Sequence, residues 1–208
     1  MSLSPETIDR ALVHLRKSDA VMRRVIDRTG PCTMKRGRRH FQSLARAIVA
    51  QQISSKAAKS IWTRLQNSAR PRQLTAQSVA GMTHDQLRAL GVSPQKASYL
   101  HDLAGRVQCG SLQLNRLSRY PDEQVIEQLV AVKGIGVWTA QMFLMFSLGR
   151  LDVFPHGDLG IRTAIRNLYA LPDLPDRKMS DPIVQPWRPY TTIACWYLWR
   201  TVEESDTW

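Results

Sequence analysis

Acids, cysteines and long apolar runs are all scarce in this sequence, and each shortage closes off a class of protein. The longest mainly apolar stretch, Val137 to Leu148, is about half of the roughly 20 residues that a bilayer-spanning helix needs, so no membrane partner is expected. The three cysteines, Cys32, Cys109 and Cys195, are odd in number and far apart, with no CxxC pair and no Cys/His cluster. That excludes a locally encoded disulfide framework, zinc site or iron–sulfur site, and points to a reducing, cytoplasmic compartment (nucleoid-associated in a bacterium). The opening MSLSPETIDRALVHLRK has no apolar core of signal-peptide type. Alternating strands, Asn-Gly hairpins and tandem repeats are also missing. With 43% hydrophobic residues and eleven each of glycine and proline in 208, the chain is neither disordered nor of low complexity.

The shortage of acids matters most. Seventeen Asp and Glu stand against 29 Lys and Arg, a net charge of +12, which implies an anionic partner but does not separate DNA, RNA and anionic lipid. Eleven basic residues and only two acids, Asp19 and Asp27, lie between Arg10 and Arg46. The densest part, Lys35-Arg36-Gly37-Arg38-Arg39-His40, reads equally as a solvated loop or as a phosphate-contacting edge.

What the chain does contain is helix after helix. Ser4-Pro5 reads as an N-cap with proline in the first turn, opening a pattern that runs to Ile26 with a flaw near Ser18-Asp19. Phe41 to about Ala50 is followed by a helix opened by Ser54 or Ser55 and running through Leu65. Thr83 to Gln86 is a capping box for a short helix stopping at Gly91. Further helices are expected from Ser93-Pro94 to about Val107, from Pro121 to Val132, from Asp158 to Tyr169 and from Arg188 to Arg200. Val137 to Leu148, apolar nearly all round, reads as a helix buried on every side. The class is all-α.

The sharpest local signal is Lys133-Gly134-Ile135-Gly136-Val137-Trp138-Thr139-Ala140, which joins two helices through a turn with two glycines. Gly134 suits the positive φ that ends a helix. Gly136 removes side-chain bulk beside a helix start whose unpaired N–H groups suit a phosphate oxygen. A bare GxG is most often an ordinary turn between helices; this extended form resembles the helix-hairpin-helix motif of DNA-binding proteins.

Eleven residues after Ala140 begins Leu151-Asp152-Val153-Phe154-Pro155-His156-Gly157-Asp158-Leu159-Gly160-Ile161-Arg162. Together with the hairpin, it resembles the helix-hairpin-helix DNA glycosylase superfamily. The stretch Ile48 to Ala58 around Gln51-Gln52-Ile53, the segment Leu90 to Ala97, and Trp187-Arg188-Pro189-Tyr190 ahead of Trp196 look like that family too. Within it, the resemblance is to the 3-methyladenine DNA glycosylase II branch. It implies a two-lobed all-α fold with the hairpin (about 122–148) at a cleft faced by Asp158 and Trp138. One lobe would hold about 1–40 and 150–208, the other about 41–149.

The resemblance also implies roles. An Asp before an apolar-periodic helix is, taken alone, an N-cap, but Asp158 matches the family's catalytic aspartate. Asp152, the other acid between Glu127 and Asp173, reads as a loop or structural carboxylate. A carboxylate stabilises the positive charge that builds on deoxyribose as the base leaves, and it can orient or deprotonate the attacking water. Bifunctional members carry a lysine where this chain has Trp138, which implies hydrolysis without strand cleavage. Trp138 and Trp196 match pocket aromatics, Trp138 reading otherwise as core; Trp187, Tyr190 and Trp199 read as core or support. Met142 and Leu159 stand where well-known members have tyrosines. Gln52 matches the wedge that fills the hole left by a flipped base, or simply ends a helix. Lys133, Gly134, Gly136 and Thr139 match phosphate contacts. The function implied is excision of alkylated purines, of 3-methyladenine and 7-methylguanine type, from double-stranded DNA by a monomer, as the first step of base excision repair. No cofactor is expected beyond a monovalent cation at the hairpin when DNA is bound. A non-catalytic DNA-binding module and a glycosylase of other specificity are the rival readings.

Overall fold

Most helices begin where the chain offers a side-chain oxygen to the first unpaired N–H groups. In the computed structural model, which describes residues 3–69, 71 and 73–203 (Glu203 by its backbone alone), Ser4 caps α1 (Pro5–Ser18) by accepting from the Thr7 N–H. The flaw at Ser18-Asp19 is a true break: Asp19 Oδ1 accepts from the N–H groups of Val21 and Met22 and starts α2 (Ala20–Thr29). α3 (His40–Ala50) has no side-chain cap; Ser54 caps α4 (Ser55–Ser68). Capping boxes of Thr75 with Ser78 and Thr83 with Gln86 start α5 (Ala76–Ala80) and α6 (His84–Ala89). Ser93 opens α7 (Pro94–Gln108), a 3₁₀ turn follows at Leu114–Arg119, and then come α8 (Asp122–Val130) and α9 (Val137–Phe143). Past Phe143 the helix widens into a π turn, Leu144–Leu148. Asp158 and Asp176 cap α10 (Leu159–Leu168) and α11 (Arg177–Val184), and α12 (Thr191–Glu203) completes an all-helical set without strands among the described residues.

The chain divides into two units, Met1–Arg36 with Leu144–Trp208, and Gly37–Phe143. In the first, α1, α2 and α10 pack around α12 through Leu15, Met22, Ile26, Ile161, Ile165, Ile193 and Tyr197, all fully buried. Asp19 ties this core together, its Oδ2 accepting from Trp187 Nε1 at 2.8 Å and from the Tyr169 hydroxyl. In the second, α3 packs on α4, α7 and α9 through Leu44 and Ile48, while α5 and α6 pack on α7.

Two expectations need correction. Val137–Leu148 is not buried all round: Val137 and Trp138 are 52% and 51% exposed, and within α9 it is Thr139, Ala140 and Phe143 that are buried. The enveloped helix is α12, in which every residue from Thr191 to Leu198 is buried. It starts at Thr191 rather than Arg188, after a separate 3₁₀ turn, Gln185–Trp187. α11 escaped the sequence reading because Pro182 lies inside it, at a place where periodicity arguments expect a break.

Candidate active site and nucleic-acid interface

In the second unit, the turn between α8 and α9 is anchored by buried Val132 and Ile135. Its two glycines do different work. Gly134 has φ +79°, and a Cβ there would lie 2.1 Å from Tyr99 Cδ2, so the Tyr99 ring occupies the space where any side chain would stand. Gly136 has no such φ, and a Cβ there would meet no atom of the chain within 4 Å. Its open side leaves the start of α9 accessible.

Two side chains, Asp102 and Gln51, bond this turn from outside it, and Lys96 holds the backbone of Gln51. Asp102 Oδ2 accepts from the Lys133 N–H and from Arg106 Nε, each at 2.9 Å. Burial would raise the Asp102 carboxyl, but these donors and the two nearby cations outweigh it and hold its pKa below the usual range. Gln51 Nε2 donates to the Gly134 carbonyl at 2.6 Å. Lys96 Nζ donates to the carbonyls of Val49 and Gln51 at 2.8 and 2.7 Å, covering the C-terminus of α3 where a cation suits the helix dipole. Partial desolvation lowers the Lys96 pKa. The loop tip beyond is Gln52, exposed and at φ +54°. Gln52 and the hairpin are thereby held in one frame, with Gln51 as the link. Lys133 and Gly136 are exposed, Met142 is half-buried, and Thr139 is only 8% exposed, so it has the least surface of the four residues matched to phosphate.

In the first unit, Asp158 is the N-cap of α10 and 7% exposed. Its Oδ1 accepts from the Ile161 N–H at 2.8 Å and from Trp199 Nε1 at 3.0 Å. The indole reaches it because Gly160 has no side chain: a Cβ there would lie 3.2 Å from Trp199 Cδ1 and 3.3 Å from Asp158 Oδ1. Leu159, beside it, is 64% exposed. Asp152 is committed elsewhere, pairing with Arg188 Nη1 at 2.7 Å and accepting from the Thr191 hydroxyl at 2.9 Å. Two carboxylates six positions apart therefore have different employments, one bracing the start of α12 and the other set at a helix N-terminus. Trp196 is buried, with the Arg200 guanidinium 4.9 Å from its ring centroid.

Residues 45–189, which include both the hairpin and Asp158, match the HhH-GPD superfamily of base excision DNA repair proteins. The chain belongs to that superfamily. DNA-3-methyladenine glycosylase 1 of Schizosaccharomyces pombe is 33% identical to it over 96% of this chain and 90% of its own length. Among solved structures, a 3-methyladenine DNA glycosylase from Schizosaccharomyces pombe in complex with abasic DNA is 32% identical, with a TM-score of 0.83, covering 96% of this chain and 99% of that one. A DNA-3-methyladenine glycosidase from Bacillus halodurans is 34% identical, with a TM-score of 0.84, covering 100% of this chain and 94% of that one.

Within this HhH-GPD chain, Asp158, Leu159 and Trp196 belong to the first unit, and Gln52, Lys133, Gly134, Gly136, Trp138, Thr139 and Met142 to the second. Sequence reasoning passed over Gln51 and Asp102 as partners of the hairpin and Lys96 as the partner of the Gln51 backbone, and placed Trp199 only as core or support. Their signal was weak. Gln51 sits beside Gln52 with nothing to rank them, and Asp102 reads as one more polar residue on a helix.

Proposed function

We propose that this HhH-GPD chain is a monofunctional DNA glycosylase that releases alkylated purines, of 3-methyladenine and 7-methylguanine type, from double-stranded DNA. The observation that carries the reading is Asp158, a buried carboxylate at a helix N-terminus within the segment shared with the superfamily. Its relatives' names add support: one is a Schizosaccharomyces pombe 3-methyladenine DNA glycosylase seen with abasic DNA, another a DNA-3-methyladenine glycosidase from Bacillus halodurans.

In this reading the flipped nucleotide is cleaved at its C1′–N bond. The base leaves with the bonding electrons, and positive charge develops on the deoxyribose beside the Asp158 carboxylate. Water adds to C1′, its proton passing to the carboxylate, and an abasic site remains. An N3- or N7-alkylated purine is already cationic, so it leaves without strong acid assistance. It also favours stacking on indole, at up to about 2 kcal/mol when desolvated. Trp138 and Trp196 are the indoles assigned to that task, with Met142 and Leu159 as less electron-rich pocket residues. Lys133, Gly134, Gly136 and Thr139 are assigned to phosphate, and Gln52 to the gap left in the duplex. The chain acts as a monomer and needs no organic cofactor, the only ion in the reading being a monovalent cation at the DNA-bound hairpin.

The test is release of free base from methylated duplex, compared with undamaged, mismatched and oxidised duplexes. Excision of alkylpurines is expected; tight binding without release would leave a DNA-binding module, and release of another lesion would reassign the specificity. The product should be an intact strand, broken only after alkali. Borohydride during turnover should trap no protein–DNA adduct, since position 138 carries no amine. An adduct lost in Lys133→Ala would make the enzyme a lyase and place Lys133 at the sugar.

A further inference from the structure

We propose that Trp199 is a positioning residue for the Asp158 carboxylate, an inference that rests on Asp158 being the catalytic group. An N-cap needs only the bond from its own helix, which the Ile161 N–H supplies. The bond from Trp199 Nε1 comes from α12, 41 residues away, and falls on the same oxygen, Oδ1. Two donors converging on one oxygen fix the rotation of the carboxylate plane, which a single capping bond leaves free.

The surroundings hold the indole at that angle. Gly160 gives it the room to cross the N-terminus of α10, a Cβ there lying 3.2 Å from Cδ1 and 3.5 Å from Nε1. On its other flank, the Phe146 ring packs with its centroid 5.8 Å away. Trp199, Gly160 and Phe146 form a bracket whose one polar atom is spent on Asp158. A buried indole N–H needs some acceptor, so a purely structural bond is the rival explanation, and the experiment must separate the two.

The experiment measures the single-turnover rate of base release from methylated duplex, the Kd for abasic-site duplex, and Tm, for Trp199→Phe, Gly160→Ala, Asp158→Asn and the double variant Asp158→Asn/Trp199→Phe. Trp199→Phe keeps the ring and loses the donor. Its rate should fall about 10- to 100-fold, the range for one hydrogen bond to a charged group, with Kd within about twofold. Gly160→Ala keeps the donor but crowds both Trp199 Cδ1 and Asp158 Oδ1, shifting the pair by a few tenths of an ångström, and should give a smaller loss in rate with the same Kd. In the Asp158→Asn background, Trp199→Phe should cost nothing further in rate. A Trp199→Phe protein that loses Tm but keeps the wild-type rate would overturn the proposal, as would a full rate in Gly160→Ala should Trp199→Phe fail to fold. If Asp158→Asn itself keeps the full rate, the assignment of Asp158 fails first and this inference with it. A dead Asp158→Asn beside an unaffected Trp199→Phe leaves that assignment standing and removes only the role of Trp199.

Discussion

Asp19 and Asp158 are both N-caps, yet they answer to different tests. Burial alone would raise the Asp19 carboxyl, but the Tyr169 hydroxyl, Trp187 Nε1 and the N–H groups of Met22 and Val21 together hold its pKa below the ordinary value. A carboxylate depressed in the folded state contributes stability in full above its unfolded pKa of about 3.9, and loses it as pH falls through the lower folded value. The Tm of the wild type should therefore fall more steeply below about pH 4 than that of Asp19→Asn; parallel curves would show that Asp19 does not carry the acid sensitivity. At neutral pH Asp19→Ala should cost about 2 kcal/mol, from the lost cap and the orphaned Trp187 N–H, read by denaturant unfolding. Asp158→Asn should behave otherwise. Asparagine caps helices as well as aspartate, so Tm and DNA affinity should hold while base release falls by about 10²–10³-fold. If Asp152→Asn is instead the inactive variant, the carboxylate that braces α12 is the one that matters.

The hairpin between α8 and α9 separates a folding glycine from a binding one. Gly134→Ala would have to adopt a positive φ and displace the Tyr99 ring, whose hydroxyl is itself held by Gln95. A loss of about 2 kcal/mol or more in stability is expected. Gly136→Ala places its methyl in open space, so its stability should stay within about 0.5 kcal/mol of wild type. Its affinity for any duplex should nevertheless drop about tenfold, the order of a lost hydrogen bond to a charged phosphate. Thermal unfolding and DNA titration on the same pair read both effects; unchanged affinity in Gly136→Ala would take the hairpin out of the interface.

The whole chain carries +12, and that charge should show in its response to salt. With six to ten phosphate contacts, affinity for duplex should fall by about 10³–10⁵ between 50 and 200 mM salt, equally for methylated and undamaged DNA. A slope implying one or two contacts would mean that most of the basic residues serve other ends. Some do: Arg36 Nε donates to the Ser147 carbonyl, and Arg16 pairs with Asp27 at 2.9 Å. The Lys35–Arg39 run is therefore not uniformly a phosphate edge.

Helix starts at Ser4, Ser54, Thr83, Ser93 and Asp158 were legible in the chain because a cap bonds to an N–H two or three residues on, and such neighbours are visible in one dimension. Gly134 was legible for the same reason, since its φ belongs to the turn it closes. The excess of basic residues needed only counting. Gln51 on Gly134, Lys96 on Gln51 and Trp199 on Asp158 were not legible, for they join residues 83, 45 and 41 positions apart. No local pattern specifies such bonds, because each depends on how helices with independently written caps and apolar faces pack. The same holds for which apolar helix is enveloped: α9 and α12 are both rich in hydrophobic residues, and packing left Val137 and Trp138 of α9 half exposed while enclosing α12 from Thr191 to Leu198.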